Sequence, residues 1–233
     1  MTTIASNLQA VRDAMAAADA EAGRAPNDVS LLAVSKTFAP EAIREAYRAG
    51  QIRFAESYVQ EALHKITVLH DLPIEWHYIG PIQSNKTRAI AEHFAWTHSV
   101  DRLKIAERLS EQRPAHLPPL QVCLQVNISG EDSKSGVPPG EVAQLAMQVA
   151  QLPHLRLRGL MAIPEPSDEV ATQRTAFARL RELCEQLNRQ GLQLDTLSMG
   201  MSQDFAAAIA EGATMVRIGS AIFGNRTYQK ETT

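Results

Sequence analysis

One residue stands out for its chemistry before any element is assigned. Lys36 closes the apolar run SLLAVSK (residues 30–36), a place where buried core would be expected. A lysine there has two readings. It can run its methylenes over apolar surface and leave its ammonium in water, or it can sit as a desolvated amine in a half-buried pocket, able to condense with an aldehyde as a Schiff base. Two later segments bear on the choice. SMGMSQDFAAAIAEGA (198–213) sets Gly200 and Ser202 in a loop before a helical pattern, and VRIGSAIFG (216–224) supplies Arg217, Gly219 and Ser220 at the end of another apolar run. Free main-chain N–H groups at a helix start, together with hydroxyls, are suited to an anion such as phosphate. Taken singly, Ser202 is a helix cap and Gly219 a relief of crowding. Taken together, a phosphate cradle opposite an aldehyde-binding lysine points to pyridoxal phosphate.

These residues need a scaffold that brings chain ends together. Ile4, Leu8, Val11 and Met15 recur at three- and four-residue steps and predict an amphipathic first helix. Short apolar strands follow at 30–36, 52–57, 75–80, 96–100, 120–128, 156–163, 196–200 and 215–223, with helical patterns between them, several ending on glycine. Strands that alternate with helices must pair in parallel, because each crossover returns the chain to the same end of the sheet. The expected fold is α/β, a single (β/α)8 TIM-type barrel with an extra N-terminal helix, forming one domain over residues 1–233. An open doubly wound sheet is the alternative, and no GxGxxG follows the first strand to support it. In such barrels the chemistry collects at the C-terminal strand ends. Here those ends carry Ser35-Lys36, Glu56-Ser57, His77 to Gly80, His98-Ser99, Asn127, Met161, Ser198 to Ser202 and Arg217 to Ser220.

Composition narrows the function classes. A formal charge of -3 and a pI near 6.2 provide no basic surplus for a nucleic-acid backbone. Cys123 and Cys184 lack CxxC spacing, and the histidines form no HExxH pair, so neither a disulfide framework nor a metal site is expected. The first twenty residues hold acidic side chains and no continuous apolar stretch, so the expectation is a cytoplasmic chain without a signal or membrane span.

Longer blocks carry a family likeness. LLAVSKT (31–37), FAESYVQEALHKI (54–66), WHYIGPIQSNK (76–86), QVNISGEDSKSGV (125–137), LRGLMAIP (157–164) and the run 197–224 closely resemble, in order and over essentially the whole chain, the YggS/PROSC family of pyridoxal phosphate homeostasis proteins. The resemblance implies a barrel like the N-terminal domain of alanine racemase, with pyridoxal 5'-phosphate anchored on Lys36. It implies phosphate contacts from Ser202, Gly219 and Ser220, and Arg217 near the pyridine nitrogen, where a protonated arginine keeps that nitrogen unprotonated and weakens the ring as an electron sink. Where the family usually reads FGENY, this chain reads FAESY, with Ala55 for glycine and Ser57 for an asparagine expected near the ring. His77 either lines the pocket or bonds as a neutral ring to a neighbouring strand. Lys134 is either a second aldehyde site or a solvated lysine.

Three functions fit these residues. A carrier would store or deliver the cofactor, with Lys36 as reversible anchor and apo-enzymes as recipients, and is expected to be a monomer without catalysis of its own. An amino-acid racemase would need acid–base groups on both faces of the substrate, and the second domain that supplies one of them in alanine racemase is not expected here. A cofactor-free aldolase would use Lys36 with Glu56 or Tyr58 as proton shuttle. The resemblance implies the first.

Overall fold

The computed structural model describes residues 3–130 and 135–224. The chain runs α1 (Ile4–Glu21), β1 (Ser30–Val34), α2 (Pro40–Arg48), β2 (Arg53–Glu56), α3 (Val59–Val68), β3 (Glu75–Tyr78), α4 (Thr87–His93), β4 (Trp96–Val100), α5 (Leu103–Gln112) and β5 (Leu120–Gln125). After a 3-10 turn at Pro139–Glu141 come α6 (Val142–Val149), β6 (Leu155–Met161), α7 (Val170–Arg189), β7 (Thr196–Ser198), α8 (Phe205–Ala210), β8 (Met215–Ile218) and α9 (Ser220–Phe223). The strands form a closed parallel barrel in sequence order, and β8 returns to β1 with Leu32 opposite Arg217. This is the expected TIM-type fold.

Strand alternation sorts the side chains into two cores. Leu31, Ala33, Phe54 and Tyr78 point outward and join the helix faces in one large cluster. Leu32, Val34, Ala55 and Met215 point inward and form a separate cluster inside the barrel, as do Trp96, Cys123 and Met161. A two-residue period with both faces buried is what a sheet wrapped by helices demands. Pro40 opens α2 with its ring at the first turn, and Gly50 and Gly191 follow α2 and α7 at φ +85° and +100°, the left-handed exit that glycine takes without strain.

The extra helix is present. α1 is closed at its start by a reciprocal Thr3–Ser6 capping box and buries Leu8, Val11 and Met15. Asn7 donates to the Ile222 carbonyl (3.0 Å) and Arg24, just beyond the helix, to the Ala213 carbonyl (2.6 Å), so this region pins the elements flanking β8.

Several boundaries differ from the sequence expectation. The eighth strand stops at Ile218, and SAIF turns into α9 rather than continuing the strand to residue 223. β-branched and aromatic residues favour a strand by propensity, but the tertiary exit at Gly219 overrides it. The first strand ends at Val34, which leaves Lys36 in the turn beyond it. Lys86 holds the cap position of α4, and the Ser84 carbonyl accepts from the Thr87 hydroxyl (3.0 Å).

Candidate functional site

The site is built at the C-terminal ends of β1, β2, β7 and β8. Lys36 is half-buried on the turn after β1, which the Phe38 N–H closes onto the Ser35 carbonyl (3.1 Å). Thr37 takes φ +72° there, in the slot where a type II turn calls for glycine. Next to β1, Gly219 approaches so closely that an added Cβ would stand 3.0 Å from the Val34 carbonyl oxygen. α9 then begins at once. Its first intrahelical bond is donated by Ile222 to the Gly219 carbonyl, so the amides of Ser220 and Ala221 precede the helical ladder. The Ser220 hydroxyl lies 3.3 Å from the Ser202 hydroxyl, which joins the two segments expected to hold phosphate. Gly200, at φ +92°, makes this possible: a Cβ there would stand 2.7 Å from the Ala208 methyl, and its carbonyl accepts the Arg217 N–H (2.9 Å). A short helix after strand eight beside the strand-seven loop is a common phosphate site in barrels of this kind.

Arg217 sits beneath that mouth, 4% exposed. One terminal nitrogen donates to the Ser198 carbonyl (2.6 Å) and hydroxyl (2.9 Å), the other to the Ala162 carbonyl (2.9 Å). Three of its five N–H groups are thereby used, and among the described residues no carboxylate pairs with it. Burial, partly offset by Asp204 and Cys123, pushes its pKa down to about 10, still protonated at neutral pH. A buried guanidinium with unspent donors suits an acceptor such as a ring nitrogen, so the residues present fit the cofactor.

Ser57 lies half-buried beyond β2, and Tyr78 donates its hydroxyl to the Ser57 carbonyl (3.2 Å). His77 is not at the mouth. It lies one inward position below Ile79, fully buried, stacked on Trp96 (5.4 Å between centroids), with Nδ1 2.9 Å from His98 Nε2 and Nε2 2.9 Å from Glu75 Oε1. Of the two readings of this residue, the structure favours the neutral ring bonded to its neighbours. His98 Nδ1 continues to the Ser198 hydroxyl (2.8 Å). The proton positions follow from the ends. Glu75 can only accept, so His77 carries its proton on Nε2, His98 donates Nε2–H to His77 Nδ1, and Ser198 donates to His98 while accepting from Arg217. Burial pushes both histidine pKa values down, His98 well below its ordinary value, which keeps both rings neutral.

Glu56, weighed above as a proton shuttle, points away from the mouth, as its place between inward Ala55 and Ser57 dictates. It is fully buried and accepts from Lys65 Nζ (2.7 Å) and the Ser35 hydroxyl (2.6 Å). Burial pushes its carboxyl pKa up, and Lys65 pulls it back. Tyr58 is exposed at the rim. His98 and Ser198 stood out in the sequence only as strand-end residues, and Glu61 and Lys65 not at all; the i, i+4 spacing of Glu61 and Lys65 was the available signal. Lys134 lies outside the described residues. Among the described residues no cluster of histidine, cysteine or acidic side chains is placed to hold a metal, and no helix is long and apolar enough to cross a membrane.

Comparison with known proteins agrees with this geometry. Residues 5–227 match the family described as alanine racemase, N-terminal domain. The chain is 65% identical over 228 residues to the pyridoxal phosphate homeostasis protein of Pseudomonas aeruginosa, covering 98% of each, and 53% identical over 234 residues to that of Escherichia coli, covering 99% of this chain and all of the relative. The solved structure of PipY from Synechococcus elongatus, with PLP bound, superposes with a TM-score of 0.84 at 40% identity, covering 95% of this chain and 100% of PipY. Alanine racemase from Corynebacterium glutamicum shares the fold, with a TM-score of 0.68 at 18% identity over 94% of this chain and 62% of its own. An eight-stranded barrel matched end to end at such identity leaves one assignment: the chain belongs to the family of pyridoxal phosphate homeostasis proteins, built on the alanine racemase N-terminal-domain barrel.

Proposed function

We propose that this protein binds pyridoxal 5'-phosphate in the C-terminal mouth and holds it for release to other proteins. Lys36 is the covalent anchor for the aldehyde. Ser202, Gly219 and Ser220, with the first amides of α9, hold the phosphate, Arg217 faces the ring nitrogen, and Ser57 lies at the ring edge where the longer asparagine is usual. The observation that carries this reading is that the Lys36 turn, the Ser202–Ser220 pair and a buried guanidinium with unspent donors lie at the same end of the barrel. When bound, the cofactor supplies an aldehyde and an electron-withdrawing ring. Arg217, protonated at neutral pH, donates to the ring nitrogen rather than accepting from it, and so limits that withdrawal.

A carrier reading over a racemase follows from the proton-handling groups. The Tyr78 hydroxyl is engaged with two carbonyls and its pKa is pushed up to about 12 by burial, and both barrel histidines are locked in an axial chain of hydrogen bonds that runs from Glu75 through His77, His98 and Ser198 to Arg217. We place the protein in the cytoplasm as a single-domain monomer, with apo-enzymes that need the cofactor as recipients; two buried free thiols suit a reducing compartment.

The test is visible absorbance of purified protein with pyridoxal phosphate, beside Lys36→Ala, followed by borohydride reduction and peptide mapping. A yellow species trapped on Lys36 and lost in the variant is expected. Undiminished binding in Lys36→Ala overturns the anchor. Exchange of an amino acid's α-proton with solvent deuterium at an enzymic rate would restore the racemase reading.

A further inference from the structure

The peptide groups on both sides of Lys36 are held from outside the barrel. Lys65 on α3, 2% exposed, donates to the Ser35 carbonyl (2.8 Å), to Glu56 Oε1 (2.7 Å) and to Glu61 Oε1 (2.5 Å). Glu61 Oε1 in turn accepts the Thr37 main-chain N–H (2.5 Å). One ion cluster therefore grips the carbonyl of residue 35 directly and the amide of residue 37 through a carboxylate. Lys36 is the residue between them.

We infer that Glu56, Glu61 and Lys65 are positioning residues for Lys36, a clamp that holds the turn so that the Lys36 side chain points into the mouth at the geometry needed for aldehyde capture. The inference rests on Lys36 being the anchor. Two observations argue against a merely stabilising cluster. Buried ion pairs are poor stabilisers compared with apolar packing of the same volume, and this one leaves Glu56 Oε2 buried without a partner among the described residues. The backbone it holds is also unfavourable. Thr37 is β-branched at φ +72°, a conformation that persists only where surrounding contacts impose it. Without the Glu61 acceptor the turn relaxes toward negative φ, and the Lys36 Cα–Cβ direction swings with it.

Capture is a condensation without change of oxidation state. The Lys36 nitrogen gives up two N–H hydrogens as it forms a double bond to the aldehyde carbon, and the aldehyde oxygen leaves with them as water. Its rate depends on where the nitrogen is held, since displacements of about 1 Å cost up to roughly a hundredfold in such reactions.

Glu61 is the residue to change, because its side chain is 30% exposed and its loss does not open the core. The experiment compares wild type, Glu61→Ala, Glu61→Gln and Lys36→Ala in three readouts: amide hydrogen exchange at Thr37, the rate of pyridoxal phosphate capture by stopped-flow absorbance, and melting temperature. Glu61→Ala should speed Thr37 exchange and slow capture by roughly ten- to a hundredfold, with a small change in melting temperature. Glu61→Gln keeps an acceptor for both Thr37 and Lys65 and should restore most of the capture rate. Fast Thr37 exchange with an unchanged capture rate overturns the clamp, as does unchanged exchange in Glu61→Ala. Lys36→Ala separates the two ideas: capture persisting there defeats the anchor, whereas capture lost there but indifferent to Glu61 defeats the clamp alone.

Discussion

His98 makes the stability of this barrel depend on pH in a direction that can be worked out. The perturbation is acidification from about pH 7 to about pH 5.5, compared between wild type and His98→Gln. In the folded protein His98 is fully buried between His77, Ser198 and the Arg217 charge, so its pKa lies well below the ordinary value, first through burial and then through the neighbouring His77 ring, which resists a second proton beside it, and the Arg217 charge. In the unfolded chain a histidine titrates near about 6.5. Across that window the unfolded state binds the proton and the folded state does not, so stability falls as pH falls. A ring that stays neutral in the fold while its unfolded form takes up most of a proton loses about 1 kcal/mol over this range. His77 has a depressed pKa too and adds in the same direction. Glu56 works against both. Its folded pKa is raised by burial, so acid favours its folded form. The variant isolates the histidine contribution, because the glutamine side chain cannot titrate while its amide still reaches toward His77. Urea denaturation at a series of pH values measures it: wild type should lose about 1 kcal/mol more than His98→Gln. Parallel curves for the two proteins would refute the neutral, polarised chain from Arg217 to Glu75.

Three further outcomes follow from the geometry. Lys65→Met strands the fully buried Glu56 carboxylate and should cost about 3–5 kcal/mol in chemical denaturation, partly recovered by adding Glu56→Gln. Gly200→Ala places a methyl group against Ala208 at a positive φ and should destabilise by about 1–3 kcal/mol, with weaker pyridoxal phosphate binding by fluorescence titration. Ser202→Ala and Ser220→Ala should each weaken phosphate binding by roughly tenfold, one hydrogen bond to a charged group; because the two hydroxyls touch, the double variant should lose less than the product of the singles.

The barrel was legible because its signals are local and repeated. Each strand is a short apolar run bounded by a helix pattern, and that alternation leaves little but a parallel sheet. What misled was the end of the eighth unit, where Ile222 and Phe223 are strand formers by type but follow Gly219 into a helix. The candidate site was legible as a set of strand ends, since Lys36, Ser202, Arg217, Gly219 and Ser220 all fall at the C-terminal ends of β1, β7 and β8. His77 was harder to place. A histidine near a strand end belongs to the mouth or the interior according to one more step of the pleat, and its partners Glu75 and His98 come from a residue two positions back and a different strand. Lys65 could not be found at all by reading strand ends. It acts on the Lys36 turn from α3, and the sequence shows only that it can pair with Glu61 one helical turn earlier.

The two ends of the barrel differ in unmet hydrogen-bonding capacity more than in space, and that difference supports the proposed site. At the N-terminal end a cavity of about 830 Å³ is lined by Arg53, Glu75, Arg113, Trp96, Arg158 and Asp195. Its charges are largely answered by one another. Arg53 pairs with Glu75 at 3.1 Å, Arg158 with Asp195 at 2.8 Å while lying over the Trp96 ring, and Arg113 donates to three main-chain carbonyls. A ligand there would first have to break contacts the protein already makes, and would recover little for doing so. At the C-terminal end Arg217 keeps donors in reserve, the Ser202 and Ser220 hydroxyls meet beside helix amides that precede the ladder, and Lys36 is held between two fixed peptide groups. The axial chain joins these ends. Ionised Glu75 at one end and protonated Arg217 at the other orient every proton between them, so the guanidinium sits beneath the mouth with three of its N–H groups committed and two in reserve.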